Sequence, residues 1–241
     1  KRLDVLNVNY ANHLYELSGE MHTGNNSISY SLKASSNDQS IRYTTDGTNP
    51  SINSELYTNP IAIKNTTTIK AASFNKTKMI SSVFTETITT HKAVGKKVTL
   101  NVQPNERYNT GGIKALVNGL NGSDTRFGDK EWLGFVGSNI EITIDLGKVT
   151  EINSIATRFF NSKGSWIHAP KRIEITYDNN KQPILVNINS SNGSIVPVLS
   201  SLKGVKTQHI KIKVIRAGLI PEGYAGAGNE PWTFVDEIIV E

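Results

Sequence analysis

Apolar and polar residues alternate with a period of two along most of the chain. In residues 140–146 aliphatic side chains alternate with Glu141, Thr143 and Asp145, and similar runs occupy 98–102, 173–177 and 210–214. This alternation is typical of antiparallel strands that have one face in a core and the other in water. Helical periodicity is nearly absent, and a short segment from Arg2 to Leu17 is the one predicted helix. The pattern therefore predicts an all-β chain.

Turn dipeptides such as Asp46-Gly47, Asn118-Gly119 and Asn192-Gly193 separate these runs. The short polar connector at 89–97 divides them into a smaller and a larger set. Each set has the size of one domain and the spacing of a β-sandwich. We predict two consecutive antiparallel β-sandwiches at 18–92 and 93–241, preceded by residues 1–17. The final strand, 234–240, is expected to pair near the first strand of its domain.

The amino-acid composition excludes several classes of site and partner. The 241 residues include no Cys, which excludes disulfides, thiolate metal sites and a cysteine nucleophile. The net charge is +5, but Lys and Arg are scattered along the chain, so nucleic acid is not an expected partner. No apolar segment approaches the roughly 18 residues that span a bilayer, so no membrane span is expected. The chain opens on Lys1 without a signal-like apolar segment, and we expect it to be a piece of a longer protein.

The sequence offers no catalytic set. The single Asp-Glu dipeptide, Asp236-Glu237, lies in a predicted strand, where neighbouring side chains point to opposite faces. Asp129 and Glu131 fall in a turn-rich segment and are expected to be a solvated pair. The five His residues lack the spacing of a zinc site, and no Ser occupies a nucleophile elbow. We therefore expect no enzymatic activity in this chain.

Two segments carry a family resemblance. Residues 41–50, with Ser54, Tyr57, Pro60 and 68–71, read as strand, Asp-Gly turn, Pro-ended loop and strand. This sequence pattern resembles the small fibronectin-III-like domain at the C-terminal end of chitobiases and β-N-acetylhexosaminidases. The resemblance implies a spacer domain without catalytic residues. Residues 2–4 and 8–10 resemble the end of the catalytic barrel of family 20 glycoside hydrolases. This resemblance implies a barrel remnant at 1–17, an upstream barrel domain as partner, and a periplasmic, cell-surface or secreted bacterial parent.

The larger set resembles a second family. The ordered segments 116–123, 132–135, 144–147, 166–170 and 227–238 are similar to a discoidin-like (coagulation factor type C) jelly-roll sandwich. Within that group they look most like the family 32 carbohydrate-binding modules of bacterial glycosidases. The resemblance covers residues 93–241 and implies glycan binding.

The same resemblance implies one structural Ca²⁺ between an early loop and the last strand. Ca²⁺ prefers six to eight oxygen ligands, many of them from turn-rich loops. The family often has Asp where this chain has Asn118, and the lost charge is expected to lower the affinity. The alternative is a plain Asn-Gly turn with Glu237 exposed or salt-bridged. The candidate ligands are Leu116, Asn118, Asn121, Ser123, Asp236 and Glu237.

A sugar site needs an exposed aromatic face with polar side chains beside it. Trp132 precedes a predicted core strand and is expected to be buried. Trp166 and Trp232 lie in loops at a sandwich end, where binding residues gather, although packing is the alternative for both. The polar candidates are Arg158, His168, Asn229, Glu230 and Tyr224.

Two functions follow as the main hypotheses, and a surface adhesin is a third. The first is a non-catalytic region that tethers a β-N-acetylhexosaminidase-like enzyme to terminal galactose- or N-acetylhexosamine-type glycans. The second is a structural spacer or dimerisation region that binds no sugar. Loss of glycan retention on removal of the loop tryptophans would separate them.

Overall fold

The structure, a computed structural model, describes residues 15–24, 27–35, 39–178, 180, 182–189 and 193–241. The chain divides into two compact units, 1–90 and 91–241. The unit boundary precedes the predicted one because Lys92 N–H donates to the Val240 carbonyl and so belongs with the second unit. Most of the predicted barrel remnant and most of the predicted helix lie outside the described residues. Leu17, the expected helix end, instead begins a strand.

The first unit is built of short strands in two antiparallel sheets. Its strands are β1 Leu17–Thr23, β2 Ile28–Ala34, β3 Ser40–Thr44, β4 Glu55–Leu56, β5 Ile61–Ala62, β6 Thr67–Asn75, β7 Lys78–Met79 and β8 Phe84–Ile88. One sheet has the order β1-β2-β5, and the other has β4-β3-β6-β7 with β8 also paired to β6. Tyr30, Ile69 and Ile88 are buried between them.

The second unit carries the larger core. Its strands are β9 Lys97–Leu100, β10 Leu133–Val136, β11 Ile140–Phe160, β12 Arg172–Tyr177, β13 Ile184–Asn187, β14 Ile195–Ile215 and β15 Trp232–Val240. Short 3-10 helices span Glu106–Tyr108, Ile113–Val117 and Lys163–Ser165. The pairings between these strands are antiparallel, as the period-two pattern predicts, and one isolated parallel bridge joins Ile167 to Trp232.

Two long strands make the sandwich by passing through both layers. The first part of β11 pairs with β9 and with the second part of β14, which continues to β12 and β13. The second part of β11 pairs with β15 and the first part of β14, and β10 closes that edge. The register shifts after Asp145, and Gly147 and Gly204 have φ of 82° and 74° near the crossing. Such irregularities let a strand leave one layer for the other.

The structure tests two predictions about the second unit, the burial of Trp132 and the pairing of the last strand. Trp132 is fully buried, as expected, and shares a small cluster with Phe160, Ile167 and Phe234 beneath the loops. The expected pairing of the last strand near the first is wrong, since β15 lies between β10 and β11. The long β11 takes the place beside β9 instead.

Candidate functional site

A tight turn presents Trp166 at one end of the second unit. Trp166 follows the 3-10 helix 163–165 and adopts a left-handed backbone with φ 62° and ψ 22°. The turn is fixed because Trp166 N–H donates to the Lys163 carbonyl and Ile167 N–H donates to the Ser162 carbonyl. A left-handed non-glycine residue costs about 1–2 kcal/mol, and such residues concentrate at functional sites. The indole is therefore held in a position that local sequence preference would not choose.

The Trp166 indole rests on a glycine of the facing loop. Gly226 has φ 83°, and a Cβ built on it would lie 2.3 Å from Trp166 Cε2. Only a residue without a side chain permits this approach. Trp166 nevertheless keeps 39% of its surface exposed. The contact thus supports the ring from below while leaving apolar surface accessible to a ligand.

Tyr224 and His168 lie next to each other at this end. Their ring centroids are 6.1 Å apart in an edge-to-face arrangement, and Tyr224 is 43% exposed. Lys163 Nζ lies 4.9 Å from the Tyr224 ring centroid. Lys163 and Trp166 thus share one turn and contact Tyr224 and Gly226 of a second loop. We call these four residues and His168 the aromatic platform.

His168 is the least satisfied polar group of the platform. The residue is 7% exposed, and its buried Nε2 has no hydrogen-bond partner among the described residues. Burial, with a smaller contribution from the nearby Lys163 charge, lowers the pKa of His168, so the ring is neutral near pH 7. A neutral imidazole can donate to, or accept from, a hydroxyl group.

The remaining loop candidates have different surroundings. Trp232 is half-buried, packs edge-on against Tyr108 at 5.2 Å, and donates its backbone N–H to the Trp166 carbonyl. Asn229 Nδ2 donates to the Gly226 carbonyl and so braces the loop. Glu230 forms an ion pair with Arg216. Trp232 and Asn229 thus contact platform residues, whereas the ion pair of Glu230 is with a residue outside the platform.

Arg158 belongs to a separate network, which includes Asp236 of the acidic pair Asp236-Glu237 in β15. It pairs with the Asp236 carboxylate through Nε at 3.0 Å and through Nη2, and it reaches Asp124 through Nη1 at 2.7 Å. Its guanidinium also lies 5.5 Å from the Trp132 ring centroid. Burial raises the pKa of Asp236 to about 7, although Arg158 and the Gly122 N–H oppose the rise.

Glu237, the neighbour of Asp236, is fully buried at the centre of the predicted calcium ligands. Its Oε1 lies 2.7 Å from His91 Nε2, and its Oε2 accepts the Asn118 N–H at 3.1 Å. The backbone N–H groups of Gly119 and Leu120 also favour the ionised carboxylate, but burial dominates and raises the pKa of Glu237. This is a carboxylate surrounded by donors.

Among the other predicted ligands, Asn118 is hydrogen-bonded through its side chain and Ser123 through its backbone N–H. Asn118 Oδ1 accepts the Leu120 N–H at 2.8 Å, and the Ser123 N–H donates to Asp129 Oδ2. Leu116 is fully buried in a 3-10 helix, and Asn121 is exposed. In the described part of the chain, no three His, Asp or Glu side chains form a metal-binding group. Protein donors engage the side-chain oxygens of Glu237 and Asn118, which does not fit Ca²⁺ bound through these oxygens, and calcium binding stays a prediction.

The expectation of a solvated Asp129–Glu131 pair is wrong. Glu131 is 7% exposed and accepts Asn118 Nδ2 at 2.6 Å. Asp129 Oδ1 accepts the backbone N–H groups of Glu131 and Trp132. The loop folds back on itself because these carboxylates satisfy its N–H groups.

Comparison with known proteins gives one family match. Residues 31–88 match the model of the family described as Fn3 associated. A search of curated proteins found no significant match.

A search of solved structures finds similarity to several sugar-binding modules. A Streptococcus pneumoniae fucose binding module is 17% identical, with 63% of this chain and 94% of that chain covered and a TM-score of 0.42. The lectin domain of lectinolysin, complexed with Lewis B antigen, is 14% identical, with 64% and 97% covered and a TM-score of 0.42. CpGH89CBM32-5 from Clostridium perfringens, in complex with GalNAc-β-1,3-galactose, is 18% identical, with 60% and 93% covered and a TM-score of 0.37.

Within the described ranges, the structure contains no helix that is both long and apolar enough to cross a membrane.

Sequence reasoning missed four contributors to these sites: Lys163, Gly226, Glu131 and His91. Gly226 alone left a signal, since glycines at 223, 226 and 228 mark a loop that needs positive φ. His91 contacts Glu237 across 146 positions of sequence, and no local pattern encodes that distance.

Proposed function

We propose that residues 91–241 form a non-catalytic glycan-binding module that uses the aromatic platform as its sugar site. The observation that carries this proposal is the exposed Trp166 indole seated on Gly226, with Tyr224 and His168 beside it. An apolar ring face suits the C–H side of a pyranose, and neighbouring polar groups suit its hydroxyls. The platform lacks a pair of carboxyls facing one sugar, which hydrolysis by two carboxyl groups requires, and this supports binding without catalysis.

The ligand we propose is a terminal galactose- or N-acetylhexosamine-type residue, and the parent is a bacterial family 20 glycosidase that acts outside the cytoplasm. Both rest on the sequence resemblances. Such a module would hold an attached catalytic domain near its substrate and raise the effective substrate concentration. The Fn3 associated match at 31–88 supports a spacer role for the first unit.

The test is a glycan array with the 241-residue chain, followed by titration calorimetry with the best ligand. We expect Trp166→Ala to abolish detectable binding and Tyr224→Ala to weaken it. Leu185→Ala is the matched control, because Leu185 is 57% exposed on β13 and lies outside the platform. Retention on no glycan, or equal binding by Trp166→Ala and the parent, would favour the spacer function instead.

A further inference from the structure

The loop formed by residues 118–123 is fastened to the last strand through the Glu237 carboxylate. His91 also contacts this carboxylate, and the side chains of His91 and Glu237 are both 0% exposed. His91 Nε2 occupies one carboxylate oxygen, and the backbone N–H of Asn118 occupies the other. The donors here are therefore protein N–H groups, and a cation at the same oxygens would have to displace them.

The hydrogen bonds of His91 also define its tautomer. Its Nδ1 accepts the backbone N–H groups of Ala93 at 3.3 Å and Val240 at 3.4 Å, so that nitrogen carries no proton. The proton then resides on Nε2, which donates to Glu237. A neutral imidazole in this tautomer donates one hydrogen bond to the carboxylate, and both of its ring nitrogens have partners.

Asn118 orients the loop in a way that an aspartate could not. Its Oδ1 accepts the Leu120 N–H, and its Nδ2 donates to Glu131 Oε2 at 2.6 Å. An aspartate would place a charged oxygen against the Glu131 carboxylate in place of that N–H donor. Carboxylates at 118, 131 and 237 would then crowd one buried region, the condition that a divalent cation relieves.

We infer that this junction is closed by protein donors without Ca²⁺, and that Asn118 is the residue that makes it independent of the metal. The inference does not rest on glycan binding. It predicts that the second unit keeps its stability when calcium is removed and that a single substitution makes that stability calcium-dependent.

The first measurement is thermal unfolding of the parent chain in EDTA and in CaCl₂, with MgCl₂ as the ionic control. A site that is specific for the folded state and is filled at 100 times its Kd would add about 2.7 kcal/mol, which raises Tm by several degrees. We expect the parent Tm to be the same in all three conditions. A rise in CaCl₂ that MgCl₂ does not reproduce would overturn the inference and support the calcium site.

The second measurement uses Asn118→Asp. We expect a lower Tm than the parent in EDTA and a recovery of several degrees in CaCl₂. Asn121→Asp is the matched control, because it adds the same charge at an exposed position of the same loop, and it should respond in neither condition. If Asn118→Asp does not fold, the variant that also carries Glu131→Gln removes one repelling charge and is measured instead. Absence of a calcium response in a folded Asn118→Asp chain would overturn the role given to Asn118.

Discussion

Gly226 offers the sharpest test of the aromatic platform. Gly226→Ala should displace the Trp166 indole, because the new Cβ would lie 2.3 Å from Cε2. An ordinary carbon–carbon contact is about 3.5–4.0 Å, so the ring must move by more than about 1 Å. Gly228→Ala is the matched control, since Gly228 has nearly the same φ, 82° against 83°, and nothing within 4 Å of its built Cβ.

The two variants should share one effect and differ in another. A left-handed alanine costs about 1–2 kcal/mol at either position, so both chains should lose stability in urea unfolding, and Gly226→Ala should lose more because its Cβ also displaces the indole. Only Gly226→Ala should move the ring, and we expect its glycan affinity to fall about tenfold, equivalent to about 1.4 kcal/mol.

Titration calorimetry measures that affinity, and the indole N–H resonances of the three tryptophans report the ring position independently of any ligand. Gly226→Ala should shift the Trp166 resonance, whereas Gly228→Ala should not. Equal affinities and equal spectra for the two variants would refute the seating of Trp166 on Gly226 as the basis of the site.

Three further predictions concern residues outside the platform. Gly122→Ala should lower the free energy of unfolding by about 1–3 kcal/mol, because its Cβ would lie 2.3 Å from Nε1 of the buried Trp132; an unchanged urea midpoint would contradict this packing. Arg158→Met should cost about 3–5 kcal/mol by urea unfolding, since it leaves the buried Asp236 without its cation, and a loss below about 1 kcal/mol would show that the pair is dispensable. The pKa of Asp178 is lowered from 3.8 to about 2, chiefly by the Gln208 backbone N–H. The ionised Asp178 carboxylate therefore stabilises the folded chain above pH 3.8, and this contribution is lost as the pH falls towards 2. Asp178→Asn should therefore have a Tm that falls less than the parent Tm over that window, and parallel curves would count against the assignment.

Local sequence was informative where the physics is local. The alternation in residues 140–146 predicts an inward face, and Ile140, Ile142 and Ile144 are indeed buried. The position of Trp132 before an apolar strand likewise predicts its burial. These outcomes depend on period-two geometry and on the transfer of apolar side chains out of water, both of which short segments encode.

The passage of one strand through both layers of the sandwich was harder to predict from the sequence. The alternation at 140–146 predicts a short strand, yet residues 140–160 form one strand that passes through both layers. The placement of β15 between β10 and β11 followed from this and was not predictable from its position at the chain's end.

The sequence by itself determined an all-β chain with strand faces, turns and loops that carry aromatic residues. Only the tertiary structure decided which of those residues meet. It placed Trp166 on Gly226, 60 positions away in the chain, and brought His91 to Glu237 across 146 positions. The physical reason is that both contacts depend on loops brought together by sheet pairing, so their distances and hydrogen-bond partners are properties of the assembled sandwich.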